Sequence, residues 1–396
     1  MPLVEIKGVQ FENRGARLML QAVLDRLAGT RPDLGIAIAP HPLSPYPERA
    51  RLGAWQKLSL RKRALDLNEL SYRWPGAVSR FGRRFGVVTE RDVDAVLDAS
   101  GFAYGEAWGD WPIRYVTGEL QRSGRHGKPY VFLPQAFGPF RGAATARLLG
   151  RALGHAALIC PRDGESLAQL RALPGDFAGR LLPCPDFTIA LRGEPRAADA
   201  WEVDERTLLL VPNSRMLEVA RAGPGWRDGY LPLLAQLATR AQAGGFGVRI
   251  LNHAGREDAE VCARLAALVG NAPIIDEPDP VRLKGVIGRS GLVVSSRYHG
   301  CVNALSQGVP CLATSWSHKY PALFSDYGVP GFVLVECDPA TALERLDHLV
   351  ADRTAWSERI TGRQVELEAQ VEFMWQRVFA LLPSRAASAV REGMSR

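Results

Sequence analysis

The chain has 396 residues. A single hydrophobic core rarely supports a chain of this length, so two domains of ordinary size are expected. Hydrophobic residues make up 46% and charged residues 23%, a globular composition that excludes intrinsic disorder of the whole chain. The net charge is +7, and its distribution along the chain is more informative than its size.

The N-terminal segment MPLVEIKGVQFENRG lacks the pattern of a secretory signal, because Glu5 and Glu12 interrupt it and no apolar run leads to a small-residue cleavage site. No uninterrupted apolar stretch reaches the length of a membrane-spanning helix. A cytoplasmic location is expected, either unattached or peripheral to the inner membrane. The six cysteines form no CxxC pair, which favours free, mainly buried thiols over zinc or redox chemistry.

Short apolar runs alternate with amphipathic stretches, a pattern typical of strands and helices in mostly parallel sheets. The first half contains five predicted strands, at residues 3–9, 34–39, 93–98, 129–134 and 156–160. Helices are predicted between them, for example at 15–27 and 143–153.

Between residues 49 and 91 arginine is concentrated. One interpretation is a solvated arginine-rich surface, and the other is a patch that meets an anionic acceptor or an acidic membrane surface. Interleaved acids and the absence of a recognised binding motif disfavour nucleic acid as the partner.

A second series of apolar runs begins at residue 207. Its predicted strands are residues 207–214, 247–253, 272–276, 291–296, 310–315 and 331–336. Residues 191–206, rich in Pro, Gly and charge, are predicted as a linker.

These elements predict an α/β fold class with two Rossmann-like doubly wound domains facing a cleft, residues 1–195 and 203–352. A C-terminal helix with a frayed tail is predicted over residues 353–396. One possible arrangement is that this helix packs back across the first domain.

The strongest candidate site lies within residues 291–328. A buried strand ends at Ser295, and the loop that opens the next helix carries Ser296, Arg297 and His299. Ser295 or Ser296 is expected to cap this helix, whose amide groups and dipole favour a bound anion. The adjacent guanidinium supplies a fork for phosphate or carboxylate.

The following strand leads to His318 and Lys319. Because the ends of neighbouring parallel strands lie side by side, Lys319 is expected to reach the pocket of Arg297 and His299. The structural alternative is that Arg297 forms an ion pair and His299 is a hydrogen-bonded core residue. The grouping of a cap, an arginine, a histidine and a lysine favours the anion pocket.

Other strand ends supply further binding candidates, each with a local alternative as a cap, a turn, an ion pair or a surface residue. They are Asn13, Gln135, Arg162, Asn213, Arg215 and His253. The glycine-rich loop 98–110 contains aromatic and acidic residues suited to stacking on a sugar and hydrogen-bonding to it.

Several of these segments, in order along the chain, resemble the polysaccharide pyruvyl transferase family over about residues 5–335. The segments are NRGA, DASGFAYGEAWGD, PQAFGPF, PRDGES, PDFTIAL, VPNSR, LNH, SSRYHGCVNALSQGVP and SWSHKY. The resemblance implies a glycosyltransferase-B-like fold. It also implies transfer of a pyruvyl group from phosphoenolpyruvate to two hydroxyls of a sugar, giving a cyclic ketal and phosphate.

Within that resemblance, Arg297 and His299 match an RxH element, Lys319 matches the lysine after it, and Arg162 matches the arginine of an RDxxS element. The arginines are expected to hold phosphate and carboxylate. The histidine is expected to bind or protonate near the enol phosphate.

The chemistry of phosphoenolpyruvate agrees with these candidates, since its close phosphate and carboxylate require several fixed cations. Protonation of its methylene carbon and attack by an acceptor hydroxyl also require an acid and a base. His299 is the leading candidate for the acid, and Asp110, Glu106 or His253 for the base.

No cofactor or metal is expected. The expected partners are phosphoenolpyruvate and a sugar acceptor, either free or lipid-linked at the inner membrane surface. One rival function is a nucleotide-sugar-dependent glycosyltransferase of the same architecture, in which Arg297 and Lys319 hold a diphosphate. A noncatalytic anion- or glycan-binding protein and a nucleic-acid binder are the others.

Overall fold

The computed structural model describes residues 1–62, 65–218, 222–315, 317 and 319–383. The chain divides into two compact units. Unit 1 comprises Met1–Phe11, Met19–Cys184 and the described part of Glu372–Arg396, and unit 2 comprises Glu12–Leu18 and Pro185–Val371.

The strands of unit 1 are β1 (Leu3–Lys7), β2 (Gly35–Ile38), β3 (Trp55–Lys57), β4 (Arg61–Lys62), β5 (Leu65–Asp66), β6 (Val87–Val88), β7 (Ala95–Asp98), β8 (Tyr130–Gln135) and β9 (Leu158–Pro161). Seven of them form a parallel sheet in the order β6-β3-β2-β1-β7-β8-β9, while β4 and β5 form an antiparallel pair. The prediction of mostly parallel pairing is confirmed.

The first six helices are α1 (Arg14–Thr30), α2 (Tyr46–Arg51), α3 (Gly76–Arg84), α4 (Asp110–Arg125), α5 (Ala143–Leu153) and α6 (Gly164–Arg171). Apolar side chains of the strands and helices form the core of unit 1, in which Tyr130, Phe132 and Phe137 are completely or almost completely buried. The predicted strand 3–9 ends early, at Lys7. Gly8 has a φ of 79° and a Cβ there would lie 2.2 Å from Oγ of Ser100, so only glycine fits this turn.

Unit 2 contains β10 (Thr207–Val211), β11 (Gly247–Leu251), β12 (Ile274–Ile275), β13 (Leu292–Ser295), β14 (Cys311–Thr314) and β15 (Val333–Leu334). All pairs in this sheet are parallel, in the order β12-β11-β10-β13-β14-β15. Because the strands are parallel, the loops after β11, β10 and β13 leave the same edge of the sheet. These loops are neighbours, since β10 lies between β11 and β13.

The later helices are α7 (Pro224–Ala243), α8 (Ala259–Leu268), α9 (Pro280–Arg289), α10 (Tyr298–Leu305), α11 (Lys319–Asp326), α12 (Pro339–Ala351) and α13 (Arg353–Leu381). The segment predicted as a linker contains a 3₁₀ helix, Pro195–Trp201, that packs against α9 and buries Ala197 and Ala198 completely. Five of the six cysteines are buried free thiols and Cys337 is half-buried. Within the described residues, no helix has the length and apolar character needed to cross a bilayer.

Candidate functional site

Arg297, on the loop after β13, lies against a buried carboxylate. Its Nε donates to Oδ2 of Asp258 at 2.7 Å, and its Nη2 also contacts Asp258. Glu257 lies 3.5 Å from the same Nη2. Burial lowers the pKa of Arg297, but the ion pair with Asp258 outweighs it and the net shift is upward. The structure therefore has the ion pair that was the structural alternative for Arg297.

Neither Ser295 nor Ser296 caps α10. The N-cap residue is Arg297, without a side-chain cap. Ser295 Oγ accepts the N–H of Arg297 at 3.2 Å and donates to its carbonyl at 2.9 Å. Ser296 Oγ lies 2.5 Å from the Tyr230 hydroxyl and accepts from Oγ1 of Thr314 at 2.6 Å. The predicted serine cap is wrong because both hydroxyls are buried and used in tying this loop to its own backbone and to the core.

His299, in the first turn of α10, faces a buried carboxylate. Its Nε2 lies 3.6 Å from Oδ2 of Asp186, whose side chain is fully buried. Oδ1 of Asp186 accepts both the N–H of Thr188 at 3.0 Å and its hydroxyl at 2.6 Å. The imidazole also lies against Gly15 in the first turn of α1. An acid-base group is thus held beside a carboxylate whose own orientation is fixed by Thr188.

His253, which follows β11, has a buried Nε2 that makes no hydrogen bond within the described part of the chain. Burial, and then the positive charges of Arg297, His299 and Arg14, hold the pKa of His253 well below its usual range. The ring is therefore neutral at physiological pH and can offer either a donor or an acceptor to a ligand.

Arg14 begins α1 and is almost completely buried. Its Nε donates to the carbonyl of Glu277 at 2.8 Å, and its Nη2 contacts the half-exposed carboxylate of Asp276. Its Nη1 is buried and, among the described residues, has no hydrogen-bond partner. A buried guanidinium nitrogen of this kind is suited to an oxygen of an anionic ligand.

Lys319, the first residue of α11, lies beside the same loop. Its Nζ is 5.2 Å from the ring centroid of Tyr298, and that ring meets His299 edge-on at 5.5 Å. The ammonium of Lys319 and the imidazole of His299 therefore both lie close to the ring of Tyr298. The predicted binding residue His318 lies outside the described residues.

Asn213 and Arg215, after β10, have local partners. Asn213 donates to the carbonyl of Ser296 at 2.9 Å and accepts the N–H of Arg215 at 3.0 Å. The guanidinium of Arg215 pairs with Glu257 and Glu218, each at 2.9 Å. Asn213 thus ties the loop after β10 to the loop after β13.

Asn13 caps α1, since its Oδ1 accepts the N–H groups of Gly15 at 3.0 Å and Ala16 at 3.2 Å. This cap fixes the start of the helix that carries Arg14 and contacts His299.

In unit 1, Gln135 is the last residue of β8, and Arg162 directly follows the adjacent strand β9. Both are buried, and the N–H of Arg162 donates to the carbonyl of Gln135 at 3.0 Å. In the RDGES segment, Asp163 caps α6 by accepting the N–H of Ser166 at 2.7 Å. Ser166 Oγ in turn accepts the N–H of Phe137 at 2.9 Å. These two residues of the RDxxS element therefore have structural roles, fixing the loop that carries Arg162.

The two candidate bases of unit 1 are exposed. Asp110 begins α4 and accepts from Oγ1 of Thr145 at 3.1 Å. Glu106 pairs with Arg141 at 3.2 Å.

A cavity of about 420 Å³ lies at the carboxyl edge of the unit 1 sheet, after β1, β2 and β7. Trp108 and Phe102 line it, with their rings in an edge-on arrangement at 6.1 Å. Lys7 also lines it, and its Nζ donates to the Tyr130 hydroxyl at 3.0 Å and contacts Glu119. Aromatic faces beside fixed polar groups are a suitable lining for a carbohydrate.

The family model for polysaccharide pyruvyl transferase matches residues 13–318, which include every residue of the unit 2 site except Lys319. The chain belongs to the polysaccharide pyruvyl transferase family. No curated protein matches it.

Solved structures share the fold of this pyruvyl transferase family member at low sequence identity. The UDP-GlcNAc 2-epimerase from Neisseria meningitidis bound to UDP-GlcNAc is 12% identical, with a TM-score of 0.57 over 96% of this chain and 100% of that chain. A putative UDP-N-acetylglucosamine 2-epimerase from Listeria monocytogenes is 10% identical, with a TM-score of 0.59 over 96% of both chains.

A spinosyn rhamnosyltransferase is 16% identical, with a TM-score of 0.51 over 94% of this chain and 96% of that chain. The expected glycosyltransferase-B-like fold with two parallel α/β sheets is confirmed.

Sequence reasoning did not select three residues of this family member's unit 2 site: Arg14, Asp186 and Asp258. Arg14 and Asp186 lie inside the segments NRGA and PDFTIAL that resemble the family, and Asp258 lies five residues after the predicted His253. Arg14 directly follows the predicted binding residue Asn13. A basic residue at that position is the feature of the sequence that could have identified Arg14 as a site residue. The two aspartates are recognisable only once the fold brings them to His299 and Arg297.

Proposed function

We propose that this pyruvyl transferase family member moves the pyruvyl group of phosphoenolpyruvate onto two hydroxyls of one sugar, with the donor bound in unit 2. The observation that carries the proposal is the pairing of His299 with the buried carboxylate of Asp186. Beside this pair lie Arg14 and His253, each with a buried nitrogen that bonds to none of the described residues. An acid-base group next to unused buried donors suits a small anionic substrate.

Donor binding is assigned to Arg14, His253 and Lys319. Arg14 would donate Nη1 to a phosphate or carboxylate oxygen, and neutral His253 would donate Nε2–H in the appropriate tautomer. Lys319 would add a positive charge from the start of α11. Arg297 contributes differently from the expectation, because two of its nitrogens face Asp258. Its proposed role is to hold the loop that carries His299.

The proposed reaction begins when one acceptor hydroxyl adds to C2 of phosphoenolpyruvate. The C2=C3 double bond takes a proton at C3 from His299, which forms the methyl group, and the hydroxyl proton goes to a base. The C2–O bond to phosphate then breaks, and the second hydroxyl adds to C2 and loses its proton. The products are the cyclic ketal and inorganic phosphate. Asp186 would stabilise the protonated imidazole before the transfer.

Acceptor recognition is assigned to the unit 1 cavity, with Trp108 and Phe102 as the stacking surface and Asp110 or Glu106 as candidate bases. The positive and negative side chains at the cavity form ion pairs with one another: Lys57 pairs with Glu5 at 2.6 Å, and Lys7 contacts Glu119. Paired charges with fixed orientations favour the hydroxyls of an uncharged pyranose ring over a strongly anionic sugar.

The donor is tested by incubating the purified chain with phosphoenolpyruvate and an array of lipid-linked and free glycans. Phosphate release is followed, and products are identified by mass spectrometry. We expect a pyruvyl ketal on at least one glycan, and a loss of turnover of about a hundredfold to ten-thousandfold in His299→Ala. Turnover with nucleotide sugars instead would favour a glycosyltransferase. Full turnover in His299→Ala would exclude His299 as the acid.

The acceptor site is tested separately with Trp108→Ala. We expect KM for the glycan to rise about tenfold or more, from the loss of one stacking surface, while KM for phosphoenolpyruvate stays unchanged. Trp111→Ala is the matched control, since Trp111 is a similarly exposed tryptophan of the same region that does not line the cavity. Equal effects of the two substitutions would remove the cavity from the proposal.

A further inference from the structure

The exposed side of α3 combines bulky apolar side chains with arginine. Its nine residues include no buried residue. The exposed members, counting the C-cap Phe85, are Ala77, Val78, Arg80, Phe81, Arg84 and Phe85. Phe81 and Phe85 are 63% and 68% exposed, an unusual degree for phenylalanine, and their ring centroids are 5.1 Å apart.

The positions of these residues on the helix explain the exposure. Val78, Phe81 and Phe85 follow one another at helical spacing and share one face. A Cβ on Gly82 would lie 3.1 Å from the carbonyl of Val87, so the side of α3 at Gly82 is the one that meets the rest of unit 1. Val78, Phe81 and Phe85 lie outside this contact between Gly82 and Val87, and their side chains remain exposed.

The acids nearest to α3 along the chain are already paired. Asp92 binds Arg83 at 3.2 Å, Asp66 binds Arg122 at 2.9 Å, and Glu69 binds Arg125 at 3.2 Å. Within the described part of the chain, Arg80 and Arg84 form no ion pair, and neither does the exposed Arg73 before the helix. The exposed side of α3 therefore carries positive charge and no exposed acid.

We propose that α3, with Val78, Phe81 and Phe85 inserted and Arg80 and Arg84 at the headgroups, docks the protein on a membrane surface rich in anionic lipid. Apolar insertion and arginine–headgroup attraction act together at such a surface, since a bilayer offers hydrocarbon directly beneath negative charge. A double-stranded nucleic acid would meet the arginines with its phosphates but, because its bases are stacked inside the duplex, would leave Val78, Phe81 and Phe85 without an apolar contact. The charge complementarity selects the lipid surface as the occupant.

The test is cosedimentation of the full chain with vesicles of phosphatidylcholine alone and of equal parts phosphatidylcholine and phosphatidylglycerol. We expect binding to the mixed vesicles that weakens as salt is raised, and little binding to phosphatidylcholine alone. Phe81→Ser/Phe85→Ser should weaken partitioning about tenfold or more. Arg80→Gln/Arg84→Gln should weaken it by about thirtyfold on the mixed vesicles.

The chain offers matched controls for both variants. Arg147 and Arg151 are exposed arginines with the same helical spacing on α5, and Phe373 is 49% exposed on α13. Arg147→Gln/Arg151→Gln and Phe373→Ser should bind like the wild type. The proposal is overturned if the mixed vesicles do not bind the protein or if the controls lose as much affinity. Sedimentation equilibrium showing a dimer that Phe81→Ser/Phe85→Ser dissociates would make α3 a contact between copies of this chain and would overturn it too.

Discussion

Gly15 and His299 are in contact where the first turn of α1 meets the first turn of α10. A Cβ atom on Gly15 would lie 2.4 Å from Nδ1 of His299, well inside the closest approach of nonbonded atoms. The imidazole therefore depends on the absence of a side chain at position 15. This contact makes the start of α1 a positioning element for the proposed acid.

Gly15→Ala is expected to lower kcat by about a hundredfold, because a displacement of roughly 1 Å at a catalytic group costs that much. Phosphate release under saturating substrates is the measurement. Gly29→Ala is the control on the same helix, since nothing lies within 4 Å of a Cβ at that position. A normal kcat in Gly15→Ala would show that the position of His299 does not limit turnover.

Asp186→Asn isolates the charge that faces His299. An asparagine Oδ1 can still accept both hydrogen bonds from Thr188, so the loop is expected to keep its position while the carboxylate charge is lost. We expect kcat to fall about tenfold to a hundredfold, with KM for phosphoenolpyruvate changed little. A rise in KM with unchanged kcat would instead assign Asp186 to donor binding.

The alternation of apolar runs correctly predicted both parallel sheets, because buried parallel strands are continuous apolar segments. The pattern missed β3 and β6 inside the arginine-rich segment. These strands have three and two residues, and only Lys57 and Val88 in them are buried, so no apolar run marks them. Short strands of this kind, at the edge of the sheet (β6) and next to it (β3), are defined by the neighbouring strand more than by their own composition.

At the site, the sequence indicated which loops converge but not which charges are already neutralised. The guanidinium of Arg297 was predicted to be available for an anionic ligand. Its ion-pair partner Asp258 is 39 residues away along the chain, and the order of the strands brings the two side chains together. For Ser296 the predicted cap failed for the same reason, because Tyr230 and Thr314 contact its hydroxyl from other elements, whereas the hydroxyl of Ser295 bonds to the nearby backbone of Arg297. Local motifs specify the residues of a loop, and the tertiary fold decides their partners.

The ion pair of Arg297 with Asp258 should be structural as well as electrostatic. Arg297→Gln is expected to lower the free energy of unfolding by about 3–5 kcal/mol, because it leaves the buried Asp258 carboxylate without its partner. Arg297→Gln/Asp258→Asn should recover most of that loss, as measured by denaturant unfolding. KM for phosphoenolpyruvate in the double variant then reports any direct contact of Arg297 with the donor. Equal instability of the single and double variants would contradict the pairing argument.

Lys284 gives the stability of unit 2 a pH dependence. The side chain is completely buried in α9, and its Nζ donates to the carbonyl of Thr188 at 2.8 Å. Burial lowers the pKa of Lys284 from 10.5 to about 7, although the negative charge of Asp186 opposes the shift. Between pH 7 and 10.5 the unfolded chain therefore binds a proton that the folded chain has released.

Because the unfolded state binds more protons in that window, this lysine makes the free energy of unfolding rise as pH rises from about 7 toward 10.5. Below the folded pKa both states are protonated, and the full cost of the buried ammonium is present. We expect Lys284→Met to remove this part of the slope, which denaturant unfolding at a series of pH values would measure as a flatter profile than that of the wild type. Parallel profiles for the two proteins would show that Lys284 keeps an ordinary pKa despite its burial.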